Sequence, residues 1–586
     1  MIDDAKAIAS GTLLTADICI VGAGAAGITL ALELINSGKS VLLLESGGLK
    51  PEAATQALYV GESTDEAMHP PPDKYRQRRF GGSTTIWGGR CMPLDAIDFE
   101  VRDYLPMSGW PITGDQLAPF YPRANELVEA GKFAYTAETA YDAPAPPMID
   151  GFESEQITQN TLERFSLPTN FAASHGETLR AAANVRVLLH ANCTGIRLTA
   201  DGASVNHLDV AVLDGPRFTM QANEYVLATG GLEVPRLLLA SNDVAKQGIG
   251  NAHDNVGRFY MCHIAGTAGT LTVTKPGAAV HHGYVVTPDG IYARRRFAIT
   301  AATQRALKIG NFIARLHFAN LNDPAHRSGI LSGLYLAKAF IRYEYSKRLH
   351  DAQPRRLKTW LLHVRNVVFD AFDTLAFLWH WLTKRTLAKR KFPSVVIPSR
   401  ANRFSLDFHS EQQPNRDSRI TLIDTKDALG LPQIRIDWRH TAWDIDTVRK
   451  SLGVLRDELA RSGCGILEYD EATVAEEALR YGAYGGHHIG TARMGNDPAT
   501  SVVDADCRVH GVANLSIASA AVFPTSSQAN PTLTIVALAV RLAARLKGVV
   551  GDRRLLEGIT RGERAVAEGR VMTQMQAKAD MARWLK

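Results

Sequence analysis

The stretch DICIVGAGAAG, Asp17 to Gly27, decides the fold. Asp17 to Val21 predicts a short buried strand, and the apolar-periodic ITLALELINSGK that follows Gly27 predicts a helix. Between them each glycine has a task. Gly22 permits the tight turn, Gly24 lets backbone approach a pyrophosphate, and Gly27 lets the helix pack close to the strand. Phosphates then sit at the helix N-terminus, where free N–H groups and the dipole favour anions. A second strand, SVLLLES, ends at Glu45, 18 residues after Gly27, where a carboxylate accepts hydrogen bonds from ribose hydroxyls and disfavours a 2′-phosphate. Strand, loop, helix and acid in register outweigh the plain alternative, a glycine-rich turn in any α/β sheet. They predict an α/β dinucleotide-binding fold and leave NAD and FAD unseparated.

At 586 residues the chain exceeds one ordinary core, so two domains, or one with a second elaborated on it, are expected. Hydrophobic residues make up 45% and charged residues 21%, which fits a soluble globular protein, and no short-period repeat appears. The six cysteines, Cys19, Cys91, Cys193, Cys262, Cys464 and Cys507, form no C-x-x-C pair. No metal site is therefore expected, and a reduced compartment fits best. The N-terminus carries acids where an export signal has positive charge, and its first apolar run leads straight into the glycine loop. A cytoplasmic location is expected.

Arg79 to Gly89, RFGGSTTIWGG, is a second glycine cluster, of the kind that presses backbone against a flat ring system. EYVLATGGLEVPRLLLAS predicts a strand at Tyr225 to Ala228, a glycine turn and a helix from near Pro235. Near the C-terminus a strand at Leu515 to Ala518 leads through a polar loop to a helix from about Pro531. With GAGAAG, FGGSTTIWGG, VLATGG, NVGRFYMCH, HHIGTARMG, SSQANPTLT and the segment Glu411 to Trp438, the chain resembles the glucose-methanol-choline (GMC) oxidoreductase family of FAD enzymes. It is most similar to the branch holding pyranose 2-oxidase and the large subunits of fructose and gluconate dehydrogenases. Asn530 stands where other branches have a second histidine.

The resemblance implies an FAD site on Gly22, Gly24, Gly27, Glu45, Gly81, Gly82, Ser83, Thr84, Trp87, Ala228, Ala518, Ser519, Asn530 and Thr532. Ile86 precedes Trp87 where pyranose 2-oxidase carries its flavin-linking histidine, so noncovalent FAD is expected. Taking a hydride from an alcohol also requires a proton acceptor, and a neutral imidazole suits that role. By family spacing the base is His487, three residues before Gly490, with Asn530 orienting the substrate oxygen from 43 residues downstream. Adjacent residues of an extended stretch face opposite ways, so His488 is expected to pack or hydrogen-bond behind the site. The plain alternatives are two ordinary buried histidines, and an Asn530 that merely caps the helix opened by Pro531. The pair His281-His282 lacks such a frame and reads as a loop or substrate-domain feature.

The expected activity is oxidation of a CH–OH group, on a sugar or lipophilic alcohol, to a carbonyl. A dehydrogenase is preferred to an oxidase; the acceptor, whether oxygen, a quinone or a protein, is not visible in the sequence. Two alternatives stand beside it: a non-redox or photochemical use of FAD on the same fold, and a membrane-associated FAD-binding scaffold.

The FAD domain is expected to be discontinuous, from 1–100, 186–265 and 480–550. A substrate domain of α+β type fills 101–185 and 266–479, with an antiparallel sheet built in part from 279–319 and 402–438. Residues 331–391 form a basic amphipathic insertion holding 13 Lys or Arg against 4 acids, in a chain whose net charge is +5. On a helical wheel Leu361, Val364, Val368, Phe372, Leu375, Trp379 and Leu382 share one face, and Arg365, Asn366, Asp370, Asp373 and Lys384 the other. Interior charge argues against a spanning helix, which leaves a peripheral membrane contact or a lid packed on the substrate domain. Nucleic-acid binding is not expected, since the bases interleave with apolar residues and no base-reading motif is present. Residues 551–586 read as a charged helical tail.

Overall fold

Strands that are apolar on every residue need cover on both faces, as in a parallel sheet between helices. Ile18–Val21, Val41–Leu44 and Tyr225–Leu227 are all buried in this way. The computed structural model describes residues 1–548 apart from 143, 168, 338–356, 389–392, 394, 395, 398, 400 and 484. In it these runs form the middle of an eight-stranded sheet. Its order is Ile2–Asp4, Val185–Leu189, Val41–Leu44, Leu13–Val21, Arg217–Leu227, Val205–Ala211 and Asn192–Leu198, with Leu515–Ile517 paired to Arg217–Leu227. The first five strands and Leu515–Ile517 are parallel to their neighbours, while the last two complete an antiparallel meander. The chain leaves Leu13–Val21 to one side and returns on the other, so this strand marks a topological switch, where open α/β sheets bind ligands. Helices Ala25–Glu33, Thr532–Leu546 and Phe171–Ala181 cover the sheet through apolar faces such as Ile28, Leu30 and Leu538.

The helix expected from Pro235 begins five residues earlier and spans Gly230–Ala240. Proline has no N–H to donate to the carbonyl four residues back. Here that acceptor, Gly231 O, takes a 2.6 Å hydrogen bond from the Thr491 hydroxyl instead. A long-range partner thus keeps a proline inside the helix.

The second core is roofed by a six-stranded antiparallel sheet in the order Gly465–Glu468, Ile264–Val273, Arg403–Ser410, Phe312–Phe318, Phe297–Ile299 and Ile157–Thr158. The segments 279–319 and 402–438 were expected to share one sheet. Phe297–Ile299, Phe312–Phe318 and Arg403–Ser410 do so in the six-stranded sheet, while Tyr284–Val286 and Tyr292–Arg295 join Leu162–Phe165 in a four-stranded sheet, and Arg419–Lys426 and Pro432–Asp437 form a three-stranded one with Glu62–Ser63. Residues 110–130 and 171–182, in the range expected for the substrate domain, pack on the first core. Ile112, Leu117, Leu127 and Phe171 bury apolar faces there.

The insertion differs most from its expected form. It breaks at Asp370 into helices Leu357–Phe369 and Ala371–Trp381, because Asp370 leaves helical geometry and its Oδ2 accepts from the Gly329 amide at 2.7 Å. Its polar side faces the protein and its apolar side faces outward, the reverse of a packed lid. No helix among the described residues is long and apolar enough to cross a membrane. The tail 551–586 lies outside the described residues.

Candidate active site

Register alone gathers several of the residues expected to hold the cofactor. Val21 pairs with Leu44 on one side and Leu227 on the other, and Leu227 pairs with Ile517. The next residues along, Gly22, Glu45, Ala228 and Ala518, therefore lie together at the carboxyl edge of the sheet. Gly22 has φ +101°, and a Cβ there meets Ala228 O at 2.8 Å; at Gly27 it meets Gly22 O at 1.9 Å. No side chain fits either place. Around Gly24, by contrast, there is nothing within 4 Å, which is the open approach a pyrophosphate needs. Glu45, 4% exposed, accepts from the Ala23 and Gly47 amides at 2.9 and 2.8 Å. Its remaining lone pairs are left for a ribose. The second glycine loop docks on the first through Gly81 N to Ala23 O, 2.9 Å, and Trp87 Nε1 anchors it on Thr169 O at 2.7 Å.

A cleft of about 580 Å³ runs from this edge to the six-stranded sheet. Gly22, Gly24, Glu45, Gly82, Ser83, Thr84, Trp87, Ala228, Ala518, Ser519, Asn530, Thr532 and His487 line it. Gly27 and Gly81 do not; they sit behind the loops they shape. Glu45 and Trp87 both line the cleft.

At the far end stands a histidine pair that spacing did not reveal. Met261 and Ile489 form an antiparallel bridge, with N···O distances of 2.9 and 3.0 Å in the two directions. Two residues away on each side, His263 and His487 face each other, ring centroids 4.8 Å apart and planes at 84°. His263 Nε2 lies 3.1 Å from Ser526 O, and a carbonyl only accepts, so this nitrogen carries the hydrogen. Burial lowers His263 to about 4, so at neutral pH its Nδ1 is a bare acceptor. His487 Nδ1, 2.8 Å away, must then donate to it, which leaves the lone pair of His487 on Nε2. Asn530 Nδ2 donates to that lone pair at 3.1 Å, and Asn530 Oδ1 is buried without a partner among the described residues. His487 itself is held well below 6.5 by burial, then by His263 and Arg90.

The loop Thr525–Asn530 is held by every side chain before Asn530 that offers a hydrogen bond. Trp110 Nε1 donates to Thr525 Oγ1 at 3.0 Å, Ser526 Oγ accepts from the Gln412 amide at 2.9 Å, and Ser527 Oγ donates to Asp98 Oδ2 at 2.6 Å. Arg296 donates to Gln528 Oε1 at 2.9 Å. Such second-tier bonds fix the Ser526 carbonyl and Asn530 before any ligand arrives.

His488 does not lie behind the site. It also borders the cleft, its ring stacked on Tyr260 with centroids 6.2 Å apart. His282 is buried edge-on against Phe404, away from the cleft, while His281 lies near Asp150. The sequence reading missed His263, His409 and Arg90. His263 ends the quoted NVGRFYMCH segment, so a signal was present without a partner to interpret it. His409 borders the cleft from Arg403–Ser410, with Nδ1 buried and unpartnered among the described residues. No metal-holding cluster of His, Cys, Asp or Glu occurs among the described residues.

Fold and cleft together define a dinucleotide-binding oxidoreductase. Residues 16–260 match the pyridine nucleotide-disulphide oxidoreductase family, and residues 414–539 match GMC oxidoreductase. Along 92% of its length the chain is 25% identical to paromamine 6′-oxidase of Streptomyces fradiae, covering 91% of that protein. It is 24% identical to the fructose dehydrogenase large subunit of Gluconobacter japonicus, over 91% of this chain and 98% of that one. Formate oxidase of Aspergillus oryzae shares the fold, with a TM-score of 0.50 and 16% identity over 92% of this chain and 99% of that one. The chain thus carries a GMC oxidoreductase domain at 414–539 and is an FAD-dependent oxidoreductase acting on CH–OH groups of alcohols and sugars.

Proposed function

We propose that His487 is the base that takes the hydroxyl proton of a polyhydroxylated substrate, and that Asn530 orients the oxygen. The observation that carries this reading is the chain Ser526 O, His263, His487 and Asn530, which leaves a lone pair on His487 Nε2 at the cleft wall. FAD, when bound, supplies the hydride acceptor. A substrate hydroxyl that enters between His487 and Asn530 accepts from Asn530 Nδ2 and presents its hydrogen to His487 Nε2. The imidazolium so formed keeps its Nδ1–H bond to His263. Arg90, on the same cleft and paired to Glu163 through Nε at 3.7 Å, keeps further N–H donors for substrate hydroxyls, which favours a sugar or aminosugar over a plain alkanol. The relatives named paromamine 6′-oxidase and fructose dehydrogenase agree with that class.

We take the reaction to be that of a dehydrogenase passing electrons to a quinone, as the names of two relatives, fructose dehydrogenase and a quinone-linked glucose dehydrogenase, suggest. Anaerobic mixing with a panel of sugars, aminosugars and long-chain alcohols bleaches the flavin band only with a substrate. Reoxidation by dioxygen faster than by a soluble quinone overturns the dehydrogenase assignment, and bleaching by long-chain alcohols alone overturns the sugar class. Noncovalent FAD follows from Ile86 before Trp87, so acid precipitation releases the flavin to the supernatant; a yellow pellet refutes it.

His263 is a positioning residue in this scheme. His263→Leu removes the acceptor that selects the His487 tautomer, and flavin reduction falls about 10²-fold with KM little changed. His263→Asn keeps an acceptor near Nδ1 and recovers most of the rate. A purely structural role predicts equal damage from both variants, so equal rates refute the tautomer argument.

A further inference from the structure

The insertion is attached by its polar side. Asn366 Nδ2 donates to Pro324 O at 2.8 Å and to Ser332 Oγ at 3.2 Å, and Ser332 Oγ meets His363 Nδ1 at 3.0 Å. His363 and Asn366 are buried. Turned outward are Phe369 at 84% exposure, Phe372 at 83%, Trp379 at 68% and Leu375 at 65%, with Leu361, Val368 and Leu382 beside them. A contiguous apolar face of this kind marks an interaction surface.

Charge decides what covers it. Residues 331–391 carry nine more positive than negative charges, set on both flanks at 342–358 and 384–391. A second copy brings the same charge to the same face. The tail 549–586, with eight Lys or Arg against five acids, is itself basic. Neither is complementary; an anionic surface is. Helices of 13 and 11 residues reach about 20 and about 17 Å, too short for a hydrocarbon core of about 30 Å, so they can lie in the interface but not cross it.

We propose that this face docks on an anionic lipid bilayer, with Phe369, Phe372, Leu375 and Trp379 at the boundary between headgroups and acyl chains and the exposed Lys358 and Lys384 on lipid phosphates. The docking face lies close to the cleft. Leu387, 71% exposed, is six residues from Pro393, which lines the cleft, and six residues span at most about 21 Å. A docked molecule thus holds its cleft within reach of a reactant dissolved in the bilayer.

The test is sedimentation of the full-length holoprotein with vesicles of three parts phosphatidylcholine to one part phosphatidylglycerol, and with vesicles of phosphatidylcholine alone. The protein is expected to pellet with the mixed vesicles and to bind the neutral ones at least ~10-fold more weakly, the difference shrinking in high salt. The triple variant Phe369→Ser, Phe372→Ser, Trp379→Ser is expected to lose at least ~10-fold in binding to mixed vesicles while FAD content and flavin reduction stay unchanged. Wild-type protein left in the supernatant at low salt overturns the proposal, as does undiminished binding by the variant. A dimer that the triple substitution dissociates, without vesicle binding, assigns the face to a second copy. Binding that appears only after removal of 549–586 assigns it to the tail. Either outcome overturns the bilayer.

Discussion

His487→Ala is expected to slow substrate-driven flavin reduction about 10³-fold while the protein still folds and binds FAD. The reason is the hydrogen-bond chain. The lone pair on His487 Nε2 is dictated by its neighbours, through His263 Nδ1 at 2.8 Å and Ser526 O beyond it. Asn530 donates and cannot replace it, so Asn530→Ala is the milder change, costing orientation but not the proton acceptor. The ring is kept neutral far into acid by burial, then by His263 and Arg90. The wild-type kcat/KM therefore stays flat as pH falls through 6.5 and declines only well below it. A decline centred at the ordinary imidazole value, or a His487→Ala enzyme that reduces its flavin at the wild-type rate, removes His487 from the role.

The second large effect is a loss of stability in mild acid. Burial is the first cause that lowers His69, His263, His282 and His326 to about 4 and His409 further still. All five are under 9% exposed. The unfolded chain takes up these protons as pH falls below about 6.5 and the folded chain refuses them until about 4, so stability is lost across that window. At pH 5 each refusal costs about 2 kcal/mol. Two buried carboxyls oppose the trend. Burial, then Asp95 and Glu411, raises Asp98, and burial raises Asp444 to about 7, so both gain protons on folding in the same range. His487 and His488, lowered by burial as well, add to the histidine side and Glu45, raised by burial, to the carboxyl side, which leaves a net loss of a few kcal/mol. The thermal midpoint, followed by the fluorescence of released flavin, is expected to fall by about 5 °C or more between pH 7 and pH 5. A midpoint that is level over this interval contradicts the buried-neutral assignment.

Much of the cofactor region was legible because its constraints are local. Gly22 and Gly27 are glycines for reasons contained within a few residues and one strand crossing, and the apolar runs Ile18–Val21 and Val41–Leu44 admit only a doubly covered strand. The helix at Gly230 was read late because Pro235 is a breaker in isolation, and the compensating donor, Thr491, lies 260 residues away from the carbonyl it serves. His488 was assigned to the rear by the alternation of an extended chain, whereas both histidines border the cleft, His488 with its ring on Tyr260.

By itself the sequence determined the dinucleotide fold, since short glycine spacings set by backbone sterics carry it; FAD and the candidacy of His487 and Asn530 came with the family resemblance of its motifs. Tertiary structure alone decided the rest. His263 and His487 are 224 residues apart and become neighbours only through the Met261–Ile489 bridge, so the tautomer that makes one imidazole a base is a property of register. The insertion shows the same limit. A helical wheel separates its two faces but cannot say which turns inward, and here Pro324, Gly329 and Ser332 supply the partners that draw Asn366, His363 and Asp370 inward and leave the aromatic face to the outside.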